Sequence, residues 1–277
     1  MPTESEVFAP DALAGKVVLV TGGGTNLGRT AAEELAACGA KVVIAGRRRE
    51  VLEEAAASIG DACTVADGDI RDPEAAAAIA GEAFARHGRI DALVNNAGGQ
   101  YFVPAEGITA KGWRAVHRLN VEGTMTMTRA VAERAFLPQG SGTVVNVTVS
   151  PHHGMPAMAH TGAARAAVEA LTRDLAAEWA AAGIAMIAAA IGRFDTESLR
   201  KYPEPVYRGA ARSVPLQRLG TMHEFAWLIA LLAGPLGPAL SGSTVTLDGA
   251  ADNWHGPWPP PSLTGDAGEV PTEERQR

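Results

Sequence analysis

The residues with evident chemistry begin at Thr21-Gly22-Gly23-Gly24-Thr25-Asn26-Leu27-Gly28, which the apolar run Val17 to Val20 enters and an alanine-rich amphipathic pattern leaves. That order reads as a strand, a tight turn and a helix N-terminus. Backbone N–H groups and the positive end of a helix dipole can approach a pyrophosphate in such a turn, where bulkier side chains would block it. The run therefore points to dinucleotide binding, with Gly22, Gly24, Thr25, Asn26 and Leu27 at the phosphates; a tight turn without a ligand is the plain alternative. His152, His153 and His160 form a second group, able to exchange protons near neutral pH. No carboxylate stands at ligand spacing beside them, so no metal is assigned. Arg47-Arg48-Arg49 is the only basic cluster.

Positioning such groups needs a sizeable scaffold, and 277 residues with 47% hydrophobic content suffice for one large α/β domain. A net charge of −7 with a pI near 5.5 argues against nucleic acid and anionic membranes as partners. Cys38 and Cys63 lie in apolar segments without ligand spacing, which suits buried thiols in a reducing compartment. The first ten residues are polar and acidic, and no run reaches membrane-spanning length, so a cytoplasmic location is expected.

Short β-branched runs alternate with longer alanine-rich helical ones. Strands are expected at about 16–21, 41–45, 62–66, 91–95, 143–148, 184–190 and 243–247, and helices at about 27–38, 48–58, 73–86, 111–136, 157–182 and 222–233. This alternation predicts a Rossmann-type doubly wound sheet of seven parallel strands, helices on both faces, and ligands at the carboxyl ends of the strands. The expected organisation is an N-terminal segment 1–13, one domain 14–250 and a tail 251–277 that carries Trp254 and Trp258. Residues 192–220, rich in proline and charge, are expected to form a long irregular substrate lid.

The glycine turn, Asn95-Asn96-Ala97-Gly98 after the fourth strand, Asn120 in helix 111–136 and Val245-Thr246-Leu247-Asp248-Gly249 together resemble the short-chain dehydrogenase/reductase family over about residues 14–250. Gly98-Gly99-Gln100, Pro104-Ala105-Glu106, Lys111-Gly112-Trp113, His160 to Arg165 and Asp252-Asn253-Trp254 are similar to its peroxisomal trans-2-enoyl-CoA reductase branch. The resemblance implies a nicotinamide cofactor, with Asp69 and Ile70 flanking the adenine, Asn95, Ala97 and Gly98 lining the ribose, and Gly192 and Thr196 at the nicotinamide. It also implies a homo-oligomer, a tetramer or dimer. NAD enzymes of this fold place a carboxylate after the second strand, where this chain has Gly46-Arg47. A guanidinium can hold a 2′-phosphate that a carboxylate would repel, so NADP(H) is expected.

The resemblance fails where the family keeps its proton relay. Asn120 is retained, but Thr161 stands at the tyrosine position, Arg165 at the lysine and Thr148 at the serine. A Tyr-x-x-x-Lys one turn further on is missing as well, since those positions are Glu169 and Arg173. An aliphatic hydroxyl is too weak an acid to replace a phenol, so alcohol–ketone interconversion is not expected. Hydride addition to a conjugated C=C suits these residues better. Thr148 and Thr161 would donate to the enolate oxygen, Arg165 would hold the nicotinamide ribose and His160 would supply the proton. Two other departures, Asn26 in place of a turn glycine and Ile191 in place of a proline, favour drift. The expected activity is an NADPH-dependent reductase of an enoyl thioester or similar activated alkene. A nucleotide-binding scaffold that has lost catalysis, or a non-redox enzyme of specialised metabolism, remains open.

Overall fold

The computed structural model describes residues 4–202 and 204–254. Its parallel strands are β1 (Val17–Thr21), β2 (Lys41–Gly46), β3 (Cys63–Asp67), β4 (Ala92–Asn95), β5 (Gly142–Val149), β6 (Ile184–Ile191) and β7 (Thr244–Leu247). The helices are α1 (Asn26–Ala37), α2 (Arg49–Ile59), α3 (Pro73–His87), α4 (Ala110–His117), α5 (Gly123–Val131), α6 (Leu137–Gln139), α7 (Ala159–Trp179), α8 (Glu197–Arg200), α9 (Glu204–Arg212) and α10 (Met222–Ala233). One sheet of seven strands runs in the order β3-β2-β1-β4-β5-β6-β7. The order reverses between β1 and β4, where helices leave the sheet on opposite faces and a crevice opens at the strand ends.

Alternation along the strands builds two cores. Val18, Val20, Val42 and Ile44 face Leu35 of α1, Leu52 of α2 and Phe225 of α10. Val17, Leu19, Val43 and Ala45 face Ile79 of α3, Met127 of α5 and Leu175 of α7. Strands covered on both sides must be apolar throughout, and the five residues of β1 and eight of β6 are all buried. Local signals set the helix ends: Asp72 accepts from the Glu74 N–H ahead of Pro73, and Thr221 and Glu224 form a reciprocal capping box on α10.

Two expectations need correction. The helix predicted over 111–136 is interrupted by two wide turns, in which Gly123 N–H donates to the Arg118 carbonyl and Leu137 N–H to that of Ala132. In the first, the Asn120 amide takes the Val116 carbonyl, its own helical acceptor, and the backbone ladder slips by one residue. In the second, Pro138 has no N–H, and its ring would crowd the Arg134 carbonyl. The segment 192–220 is also not irregular, because α8 and α9 lie within it. The start of the tail forms a turn at Ala251–Asn253 with Ala251 buried, while Trp258 lies outside the described residues.

Candidate functional site

The crevice is a cavity of about 920 Å³ that runs from the glycine turn, past the ends of β2 and β4, to the loop after β5 and helices α8 and α9. Thr21 organises its floor. Its hydroxyl donates to the Val94 carbonyl at 3.2 Å and accepts from the N–H groups of Asn96 and Ala97, each at 3.0 Å. The turn meets the requirements of a phosphate cradle. Gly22 has a φ of +66°, and a Cβ on Gly28 would lie 2.2 Å from the Gly22 carbonyl oxygen. Thr25 precedes α1 without capping it through its side chain, and the first turn carries no acidic residue, so its N–H groups stay available to an anion. Gly22, Gly24, Thr25, Asn26 and Leu27 all line the cavity.

Asn26 takes a left-handed φ of 46°, and its side-chain oxygen accepts the Glu197 N–H at 3.2 Å. The residue that replaces a glycine thus ties the phosphate turn to the start of α8. At the far end of β2, Arg47 and Arg48 are exposed on the cavity rim. Arg49 is instead engaged by Asp67 at 2.6 Å and by Glu53, so the carboxylate nearest Gly46 in register already has a cation. Asp69 and Ile70 line the cavity, and hydrogen bonds from Arg71 hold the Asp69 carboxyl down at about 2.

At the opposite end, Ala97, Gly98, Arg165, Gly192 and Thr196 line the wall. A Cβ on Gly98 would meet Arg165 Nη2 at 2.4 Å and Asn120 Oδ1 at 2.8 Å, so only glycine lets the chain pass so close to the guanidinium. Arg165 is 8% exposed, donates from Nη1 to the Val147 carbonyl at 2.8 Å, and leaves Nε without a partner among the described residues. It pairs with no carboxylate there. Burial pulls the guanidinium down to about 10, still a cation at neutral pH. Thr196 caps α8, accepting from Leu199 N–H at 3.2 Å.

The structure draws several expected residues away from the cavity. Asn95 lies behind it, donating to Thr128 at 2.8 Å and to Asn146 at 2.9 Å. Asn120 is buried and acts on the wall indirectly, since its side chain brackets the N–H and carbonyl of Gly99 at 3.2 and 2.8 Å. Thr148 does line the cavity, but it shares the α7 face of β5 with Asn146 and gives its hydroxyl proton to Glu169 at 2.8 Å. His160 and Thr161 are fully buried in the first turn of α7 and are not on the cavity wall. The imidazole of His160 packs on Tyr101 with ring centres 4.4 Å apart, and neither nitrogen has a partner among the described residues. Burial, with a smaller push from His117, lowers its proton affinity below that of an ordinary histidine. An acid role for His160 and a donor role for Thr161 thus lose their geometric basis.

Three further ionisable residues lie behind Thr148, outside the cavity wall. Glu169 is buried between Thr148 and His152, and Asp252 meets His152 from the far side. Glu169 follows Arg165 by one helical turn, so the spacing alone puts the two on one face. The outer cavity is apolar, lined by Phe102, Met155, Pro156, Met158, Leu199 and Tyr202, with Phe102 and Tyr202 edge to face at 4.7 Å.

A doubly wound domain with a glycine-rich cleft at its switch point has the form of a dinucleotide-binding domain. The chain belongs to the short-chain dehydrogenase family, whose model matches residues 16–206. It is 35% identical over 259 residues to a peroxisomal 2,4-dienoyl-CoA reductase of Pongo abelii, covering 91% of this chain and 88% of that one. A probable 2,4-dienoyl-CoA reductase of Bacillus subtilis is also 35% identical, covering 88% of this chain and 98% of its own. Among solved structures, a citronellol catabolism dehydrogenase of Pseudomonas aeruginosa PAO1 superposes with a TM-score of 0.80 at 38% identity, over 90% of this chain and 99% of that one. The family holds, and so does the likeness to its enoyl-CoA reductase branch, with relatives named for a dienoyl rather than a mono-enoyl substrate.

Proposed function

We propose that this enzyme reduces a C=C bond conjugated to a thioester carbonyl, using NADPH. The observation that carries the reading is Arg165, a buried cation without a carboxylate partner among the described residues, on the cavity wall where the family keeps its lysine. Reduction of a conjugated alkene puts negative charge on the thioester oxygen, and a preset cation in a water-poor site stabilises such charge strongly. Thr161 stands four residues before it, where the family has the tyrosine that protonates an alkoxide, which disfavours simple alcohols and ketones.

The cleft fits the dinucleotide: the open turn at Gly22 to Gly28 and the uncapped α1 would hold the pyrophosphate, and Arg47 and Arg48 the 2′-phosphate. When bound, the cofactor supplies the hydride. Asn120 fixes the Gly98-Gly99 wall, Gly98 leaves room for the guanidinium, and the apolar outer cavity accepts an acyl chain while excluding water. The thioester relatives support this substrate class. Two buried cysteines support a reducing compartment, and a homo-oligomer is proposed from the family resemblance. Titration with NADPH and NADH, followed by nicotinamide fluorescence, and NADPH consumption with 2-enoyl and 2,4-dienoyl thioesters of rising length test the reading. Binding without turnover on any of them would favour a scaffold instead.

A further inference from the structure

Behind Thr148 a line of ionisable groups leads from the cavity wall to solvent. Thr148 Oγ1 lies 2.8 Å from Glu169 Oε1, and the same oxygen lies 3.0 Å from His152 Nε2. The other ring nitrogen, Nδ1, is 2.5 Å from Asp252 Oδ2, while the His152 backbone N–H donates to Asp252 Oδ1 at 2.5 Å. Asp252 is steadied by its own N–H on Asp248 Oδ2 at 2.8 Å, and His153 approaches it to 3.8 Å. Exposure rises outward, from a fully buried Thr148 through the Glu169 side chain at 10% to the His152 side chain at 36%.

While both carboxylates are ionised, the two contacts are hydrogen bonds only when both ring nitrogens carry protons, so the resting site selects the imidazolium. A single carboxylate oxygen then separates that imidazolium from a hydroxyl on the cavity wall. This is the arrangement a stepwise proton hand-over requires.

We propose that His152, Glu169 and Thr148 form a proton conduit that carries a solvent proton to the substrate carbanion after hydride addition; the proposal rests on the reductase reading above. Hydride adds to the conjugated system and its electron pair moves onto the thioester oxygen as an enolate. The enolate carbon then takes the Thr148 hydroxyl proton as a C–H bond forms. Glu169 Oε1, protonated beforehand by His152 Nε2, passes its proton to Thr148 Oγ1 in the same step, so that no free alkoxide forms, and neutral His152 regains its proton from water. One proton is consumed and no further redox partner is needed. The ground-state bond from Thr148 to Glu169 fits this order: once Glu169 is protonated it becomes the donor, and the Thr148 hydroxyl is released toward the cavity.

Burial alone would lower the His152 value, but the hydrogen bonds and charges of Asp252 and Glu169 outweigh it and hold the imidazole above the ordinary histidine range. His152 therefore stays charged as pH rises past that range, and turnover falls only above its raised value.

The test combines pH profiles of NADPH consumption in the wild type, His152→Gln, His152→Ala and Glu169→Gln with NMR titration of the His152 ring nitrogens in the wild type and Glu169→Gln. NADPH binding in each variant reports folding. The conduit predicts a kcat loss of about 10²-fold in His152→Gln and Glu169→Gln with little change in KM, the scale of a lost general acid. It also predicts loss of the alkaline limb, recovery of His152→Ala by added imidazole, and a lower His152 titration point in Glu169→Gln. An active wild type with unchanged kcat in His152→Gln would overturn the conduit and leave the reductase reading standing. So would a slow variant that keeps the wild-type pH profile and ignores imidazole. A wild type inert on every thioester would remove both.

Discussion

Arg165→Met separates function from stability, because methionine nearly matches the buried aliphatic length of arginine while deleting its charge. Holding the guanidinium at about 10 instead of 12.5 amounts to roughly 3 kcal/mol of differential cost at about 1.4 kcal/mol per unit. The sign follows from linkage. The folded-state value lies below the unfolded one, so the penalty is present in full at neutral pH and is relieved only as pH rises through about 10. Removing the charge recovers that cost. Against it stand the lost hydrogen bond to the Val147 carbonyl and the unsatisfied acceptor left behind, together about 1–3 kcal/mol. Arg165→Met should therefore fold with stability equal to or up to ~2 kcal/mol above the wild type, the difference of these terms. Its kcat on an enoyl or dienoyl thioester should fall by about 10²–10³-fold, as for other preset donors to a developing oxyanion. Urea denaturation and steady-state NADPH consumption measure the two effects. A strongly destabilised variant would show that the cation is structural, and an undiminished kcat would remove it from the mechanism.

Arg47→Asp should abolish or reverse a preference for NADPH over NADH, at about 1–3 kcal/mol for the lost charged contact; equal affinities in the wild type would contradict the assignment. Asn26→Gly removes a side chain from a left-handed position and frees the Glu197 N–H, so NADPH should bind more tightly while α8 becomes easier to cleave by protease. Unchanged affinity and cleavage would show that the contact has no influence on either. Thr161→Val replaces a fully buried hydroxyl that has no partner among the described residues, so stability should hold or rise by about 1 kcal/mol while kcat stays within about two-fold. A large kcat loss would restore Thr161 to the chemistry.

The sheet was legible because strands covered on both faces must be continuous apolar runs, as Val17 to Val20 and Ile184 to Ile191 are. The phosphate end was equally open to reading, since glycines at Gly22 and Gly28 are dictated by backbone clearance over a few residues. The reacting end depends on contacts between distant segments, and there the reading failed in identifiable ways. His160 is removed from the cavity by packing on Tyr101, which no local pattern announces. The His152–Asp252 contact joins residues 100 positions apart. Two signals were available in principle. Period-two alternation puts Thr148 on the same face as Asn146, and Thr196 and Pro205 are ordinary helix-start residues for α8 and α9.

Thr21 places one oxygen at the point where the strand order reverses, bound at once to Val94, Asn96 and Ala97. The spacing between the β1 turn and the β4 loop is therefore set before any ligand arrives. Association with a dinucleotide then carries little ordering cost on this side, a form of preorganisation. The α8–α9 side meets the glycine turn through the Asn26 contact. The wall at β1 and β4 is thus a fixed template to which a dinucleotide is fitted.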